Sequence, residues 1–191
     1  MKSHRAAGGG ICLLLVILFA APAAALDVIY LVRHAEKSEG WPQDRELDAF
    51  WPLSPAGQVR AEFLASRLEN SSIAAVYTSR TTRTLMTGLA LAKRTGVPIA
   101  ANDDSITAEK MEAFLSSVRG KHSSDKAVLI VGHSNTIPLL LLRLGANPDC
   151  FGKLGIVKKG ETFLIEGHDG LWQVDLKRQG CEALTQEGLA R

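Results

Sequence analysis

Two apolar runs in this chain end the same way. Leu31 and Val32 lead into Arg33 and His34, and Ile130 and Val131 lead into Gly132 and His133. A third run, IAAVY at residues 73–77, leads into Thr78, Ser79, Arg80 and, three residues on, Arg83. Read as strands of one parallel sheet, the three runs have carboxyl ends on a single edge, where α/β sheets bind ligands. Two histidines and Arg33 are delivered to that edge, and Arg83 can point back to it. Guanidinium groups offer forked donors that match phosphate oxygens and keep their charge. A neutral imidazole is a capable nucleophile, and a phosphorylated histidine is labile enough to hydrolyse in a second step. Phosphoryl transfer is mostly positioning and charge stabilisation, so such a cluster suits it. The lone histidines show no metal-ligand spacing, and no cofactor is implied.

The elements that must position these residues follow from the patterning. Residues 27–32 (DVIYLV) form a buried strand. A polar segment to Leu53 carries Trp41, Phe50 and Trp51, which could cover a bound group. Ser54 and Pro55 open a helix as N-cap and first-turn residues, with Val59, Phe63, Leu64 and Leu68 as its stripe. The strand at 73–77 precedes a helix that runs to about Arg94 and stops at Gly96. A short strand at 97–100, a helix at 108–118, the strand AVLIV at 127–131 and a helix at 136–144 complete the alternation. Residues 147–160 read as loop, and 161–166 with 171–176 read as a hairpin turning at 167–170. The expected fold is α/β, a three-layer sandwich with a mostly parallel central sheet and a C-terminal hairpin.

Four segments, in order, resemble one family. Leu31-Val32-Arg33-His34-Ala35-Glu36, Leu53-Ser54-Pro55-Ala56-Gly57-Gln58, Tyr77-Thr78-Ser79 through Arg83 and Thr87, and Val131-Gly132-His133-Ser134-Asn135 are similar to the motifs of the histidine phosphatase superfamily. That superfamily includes phosphoglycerate mutases and bacterial phosphohistidine phosphatases. The resemblance spans residues 28–138 and implies a phosphoglycerate mutase-like fold. It makes His34 the phosphate-accepting nucleophile and gives Arg33, Arg83 and His133 the rest of the phosphate pocket. The substrate would be a phosphorylated small molecule or phosphoprotein. Arg80 stands where the family often has proline and takes no core role, though it could touch substrate; His122 and His168 read as loop residues without a function. Relatives acting on esters carry an acid that protonates the leaving group. Here Ser134 and Asn135 follow the second histidine, and Glu109 and Asp104 are the nearest acids after the third strand; both suit a helix start. A phosphohistidine phosphatase is therefore a second reading, and a non-catalytic phosphate-binding module a third. The two arginines are expected to lower the pKa of His34 in the empty pocket.

Length and composition set the bounds. The 191 residues suit one domain, at 46% hydrophobic and 22% charged. Lys2 and Arg5, an apolar run at 11–20 and alanines at 21 and 23–25 have the order of a secretory signal. Cleavage after Ala25 leaves residues 26–191 as the domain, in the periplasm or outside the cell; the alternative is an uncleaved membrane anchor, for which the apolar run is short. Only Gly10 and Ile11 directly precede Cys12 and the rest of the apolar run follows it, the wrong order for lipid attachment. Without Lys2 and Arg5 the 22 basic residues become 20, equal to the 20 acidic ones. Zero net charge gives no support for nucleic-acid or anionic-membrane binding. Oligomeric state is not legible. Cys150 and Cys181 are the two cysteines left, and an oxidising compartment would permit their pairing.

Overall fold

A computed structural model describes residues 26–40 and 45–189. The expected signal segment and Trp41 lie outside the described residues. Strands β1 (Val28–Arg33), β2 (Ile73–Thr78), β3 (Ile99–Ala101) and β4 (Ala127–Gly132) run parallel in the order β3-β2-β4-β1. Helices α1 (Pro55–Leu68) and α2 (Thr82–Thr95) cover one face; α3 (Met111–Lys121) and α4 (Thr136–Arg143) cover the other. The strands face both layers, so their side chains alternate between two cores. Leu31 and Ile130 point to Phe114, Leu115, Ile137 and Leu140, whereas Val32 and Val131 join Leu64, Leu68 and Leu91. Burial on both sides explains why these strands are apolar runs without polar alternation.

Local chemistry sets the helix ends. Ser54 caps α1, its Oγ accepting from the Gly57 N–H at 3.1 Å. Gly96 ends α2 as expected. The buried face of α1 is Ala61, Leu64, Ala65 and Leu68, while Val59, expected in the stripe, is 46% exposed.

The C-terminal third departs from expectation. Residues 161–166 and 171–176 do contain strands, but these do not pair with each other. β5 (Ile156–Lys159) and β6 (Thr162–Ile165) form their own antiparallel pair, Ile156 opposite Ile165. β7 (Gly170–Asp175) instead enters the main sheet antiparallel to β1, with β8 (Leu184–Gly188) beyond it. The segment expected as loop thus holds β5 and a 3-10 turn, Pro148–Leu154. Two physical reasons stand out. Gly160 supplies a left-handed turn residue (φ +60°) for the tight β5–β6 connection. Leu171, Trp172 and Val174 are all buried, which suits a strand covered on both faces and not a peripheral hairpin. A disulfide joins Cys150 to Cys181 across 31 residues, tying the 3-10 turn to the chain entering β8.

Candidate active site

Register decides what meets at the sheet edge. Arg33 lies opposite Gly132, and Val131 is flanked by Val32 on one side and Thr78 on the other. The residues that follow, His34, His133 and Ser79, therefore emerge side by side. The His34 N–H donates to the Gly132 carbonyl at 2.9 Å, and the two imidazole centroids are 5.3 Å apart. Together with Arg33 and Arg83 they line a cavity of about 480 Å³.

His34 is buried, and its Nδ1 lies 2.8 Å from the Ala35 carbonyl oxygen. A carbonyl can only accept, so Nδ1 carries the proton and the lone pair resides on Nε2. That is the tautomer a nucleophile requires. Burial pulls the His34 pKa down to about 2; the Ala35 hydrogen bond opposes this, while His133, Arg83 and Arg33 add to it. The arginines act in the expected sense, but desolvation dominates. His133 is lowered to about 4, again chiefly by burial and then by Arg83. Its Nε2 is 3.0 Å from Ser79 Oγ, part of a hydroxyl cluster with Thr81 and Thr84.

The motif residues around the ligands have mechanical roles. Thr87 Oγ1 accepts from the Ala35 N–H at 3.0 Å and donates to the Arg83 carbonyl at 2.7 Å, fixing the His34 turn to α2. Ser54 N–H donates to the Glu36 carbonyl at 2.9 Å. A Cβ on Gly57 would stand 2.2 Å from that same oxygen, so only glycine lets α1 approach this closely. The Glu36 carboxylate grips Arg60 at 2.6–2.9 Å, which also donates to the Leu189 carbonyl. Arg60 and several motif side chains thus brace the His34 turn.

Arg33 Nη1 donates to the carbonyls of Ile165, Glu166 and Gly167 at 2.9–3.1 Å. Arg83 donates through Nη1 and Nη2 to the Asp48 carbonyl and carboxylate, at 2.6 and 2.9 Å. The Nε atoms of both arginines are buried without a hydrogen-bond partner among the described residues. Both arginines line the same cavity, and two guanidinium charges there suit an anion.

The structure brings His34, Arg33, Arg83 and His133 together as expected, with Ser134 and Asn135 on the same wall. Glu109 and Asp104 do not line the cavity; Asp104 pairs with Lys110 at 3.4 Å. Arg80 is exposed and contributes its backbone N–H to Asp103. Phe50 is 60% exposed, and Trp51 is buried beneath the Lys37 ammonium, 3.8 Å from its ring; neither lines the cavity.

Asp48 and His168 are among the lining residues that sequence reasoning missed. Asp48, from the 3-10 turn Arg45–Phe50, pairs with Arg83 and stands 3.6 Å from Lys37. His168, read above as a loop residue without a function, stands 5.4 Å from His34 with its Nδ1 2.7 Å from the His34 carbonyl oxygen. His168 reaches the site only because β7 lies beside β1, a pairing no local signal announces. A turn histidine just ahead of a strand with Leu171, Trp172 and Val174 is the one available hint.

Comparison with known proteins bears on the fold. Residues 29–106 match the family model of the histidine phosphatase superfamily (branch 1). The match carries Arg33, His34 and Arg83 and stops before His133. No curated protein sequence matches the chain. Among solved structures, SixA from Agrobacterium tumefaciens is similar at 22% identity, covering 86% of this chain and 98% of that one (TM-score 0.60). The protein histidine phosphatase SixA complexed with tungstate is similar at 14% identity, covering 85% and 97% (TM-score 0.60). A mycobacterial glucosyl-3-phosphoglycerate phosphatase with vanadate is similar at 14% identity, covering 86% and 98% (TM-score 0.59). Residues 29–106 thus resemble the histidine phosphatase superfamily in sequence, and the chain shares the fold of these solved phosphatases across most of its length.

Proposed function

We propose that this chain is a member of the histidine phosphatase superfamily and a metal-independent phosphatase that acts outside the cytoplasm through a phosphohistidine on His34. The carrying observation is the orientation of His34: its Nδ1–H is held by the Ala35 carbonyl, so Nε2 offers its lone pair among Arg33, Arg83 and His133. The attacking Nε2 bonds to phosphorus as the leaving group departs; water then hydrolyses the phosphohistidine and restores the neutral ring. Arg33 and Arg83 balance the charge on the equatorial oxygens in both steps. Among the described residues, no group of three or more His, Cys, Asp or Glu side chains is arranged to hold a metal ion. The N-terminal basic, apolar and small-residue order, together with the Cys150–Cys181 bond, supports export to an oxidising compartment.

One observation favours a phosphohistidine or comparable substrate. The acid on the cavity wall, Asp48, is ion-paired with Arg83 and its pKa is depressed, against the opposing effect of burial. It is a poor proton donor, so leaving groups that depart without a proton are preferred. The test is rapid-quench labelling with phosphorylated substrates, a phosphohistidine peptide and an aryl phosphate among them. Label should map to His34, survive mild base and be lost in acid, and activity should survive chelators. Label elsewhere, or near-normal turnover by His34→Ala, refutes the mechanism. Tight vanadate binding with no turnover on any substrate would mark a binding module instead.

A further inference from the structure

We propose that His168 is a further phosphoryl ligand, which takes up a proton on Nε2 and donates it as a hydrogen bond to an oxygen of the bound group. The proposal rests on the phosphatase reading of the same cavity, and adds a side chain from outside the four motifs.

Placement comes first. His168 lies in the short connection between β6 and β7, and that connection is clamped twice. Arg33 Nη1 donates to the three carbonyls immediately before it, those of Ile165, Glu166 and Gly167. His168 Nδ1 is 2.7 Å from the His34 carbonyl oxygen. Beyond it, β7 runs antiparallel to β1 with Leu171 opposite Val32, which holds the backbone of the connection at the sheet edge. The ring is tilted 51° to His34 at 5.4 Å and lines the cavity with Arg33, Arg83 and His133.

The chemistry of the ring follows. A carbonyl oxygen accepts only, so Nδ1 is protonated whether the ring is neutral or charged. Nε2 is therefore the nitrogen that titrates, and it has no hydrogen-bond partner among the described residues. In the free protein burial lowers the pKa of His168, with Arg33 and Arg60 acting in the same sense; the His34 carbonyl and Glu36 oppose them. The charged groups facing the ring thus come from the end of β1 (Arg33 and Glu36) and from α1 (Arg60). A phosphate dianion placed among these residues reverses the balance and favours the imidazolium. Nε2–H then becomes a charge-assisted donor to a phosphoryl oxygen. No bond to the phosphate is made or broken: one proton passes from solvent to Nε2 on binding and returns when phosphate leaves.

A purely structural histidine would need Nδ1–H alone. Asparagine supplies an N–H near the same position through its amide, but nothing at Nε2. His168→Asn therefore separates anchoring from phosphate contact. Calorimetric titration of the full protein with inorganic phosphate near pH 7, in buffers of different ionisation enthalpy, reads both affinity and proton uptake. We expect His168→Asn to melt like the wild type without phosphate, to bind phosphate at least about tenfold more weakly, and to take up fewer protons on binding. In the wild type, the ¹⁵N resonance of His168 Nε2 should move towards the protonated range when phosphate is added, a readout that needs no variant. Wild-type affinity and proton uptake in His168→Asn, or a ¹⁵N resonance that does not move, overturns the proposal while leaving His34 labelling intact. A wild type that binds no phosphate and takes no label overturns the phosphatase reading with it.

Discussion

A histidine kept neutral by burial is a cost that appears as acid sensitivity. His34 has its pKa lowered to about 2 and His133 to about 4, against an ordinary value of 6.5. Below pH 6.5 the unfolded chain binds protons on these rings that the native state refuses, so stability falls as pH falls. The loss begins near 6.5, continues for His133 to about 4 and for His34 to about 2, and is absent at higher pH. Carboxylates near their ordinary pKa of ~4 stay ionised above about pH 5, so the interval from 7 to 5 isolates the histidines. Melting temperature in phosphate-free buffer should drop across that interval, and His34→Asn should flatten the slope. An unchanged slope in the variant would contradict the buried neutral ring. At this scale His34, His133, Arg33 and Arg83 were legible because each directly follows or ends a strand, or opens a helix. A local apolar run therefore fixes its place on the edge. His168 and Asp48 were not legible, because their positions depend on pairings made far along the chain: Arg33 with the carbonyls of 165–167, and Asp48 with Arg83.

Among the elements, the short 3-10 turn Arg45–Phe50 has the most direct bearing on binding. It lays the Asp48 carboxylate on Arg83 and near Lys37, where an anionic oxygen of the substrate would otherwise be received. Asp48 therefore competes with phosphate as an internal anion. Its side chain is 48% exposed, so solvent screens the pair and the competition is modest. Asp48→Asn keeps the backbone carbonyl that Arg83 Nη1 uses and removes the charge. Phosphate should then bind roughly threefold to tenfold more tightly, corresponding to about 1 kcal/mol. Weaker binding in the variant would show that Asp48 orders Arg83 for the ligand. The sequence offered little here, since RELDAF has neither a period nor a cap that would mark a turn over the site. By contrast α1 was readable from Ser54 and Pro55, and Gly57 in the same motif is explained only by its neighbour: the Glu36 carbonyl leaves no room for a Cβ.

At the scale of the whole molecule, the matched motifs form the parallel half of the sheet, and the C-terminal third closes its open side. β7 and β8 cover the edge of β1, while the β5–β6 pair lies against the α3–α4 face through Ile156, Ile165 and the Phe151–Phe163 contact. This closure places His168, so the stability of the third bears on the site. The Cys150–Cys181 bond holds it at both ends, with the cysteine Cα atoms 5.7 Å apart. Closing a loop of 31 residues removes unfolded-state entropy, equivalent to about 3–4 kcal/mol in the chain-entropy account. For a domain of this size, that corresponds to a fall in melting temperature of roughly 6–15 °C. The double variant Cys150→Ser, Cys181→Ser should show a loss of this order, as should the reduced wild type. Neither sulfur lines the cavity, so phosphate affinity well below the new transition should be kept. A reduced protein that melts with the oxidised one would show the crosslink to be thermodynamically idle. Affinity lost well below the transition would mean that the C-terminal third loosens before the rest unfolds, carrying His168 away from His34 while the parallel half still stands.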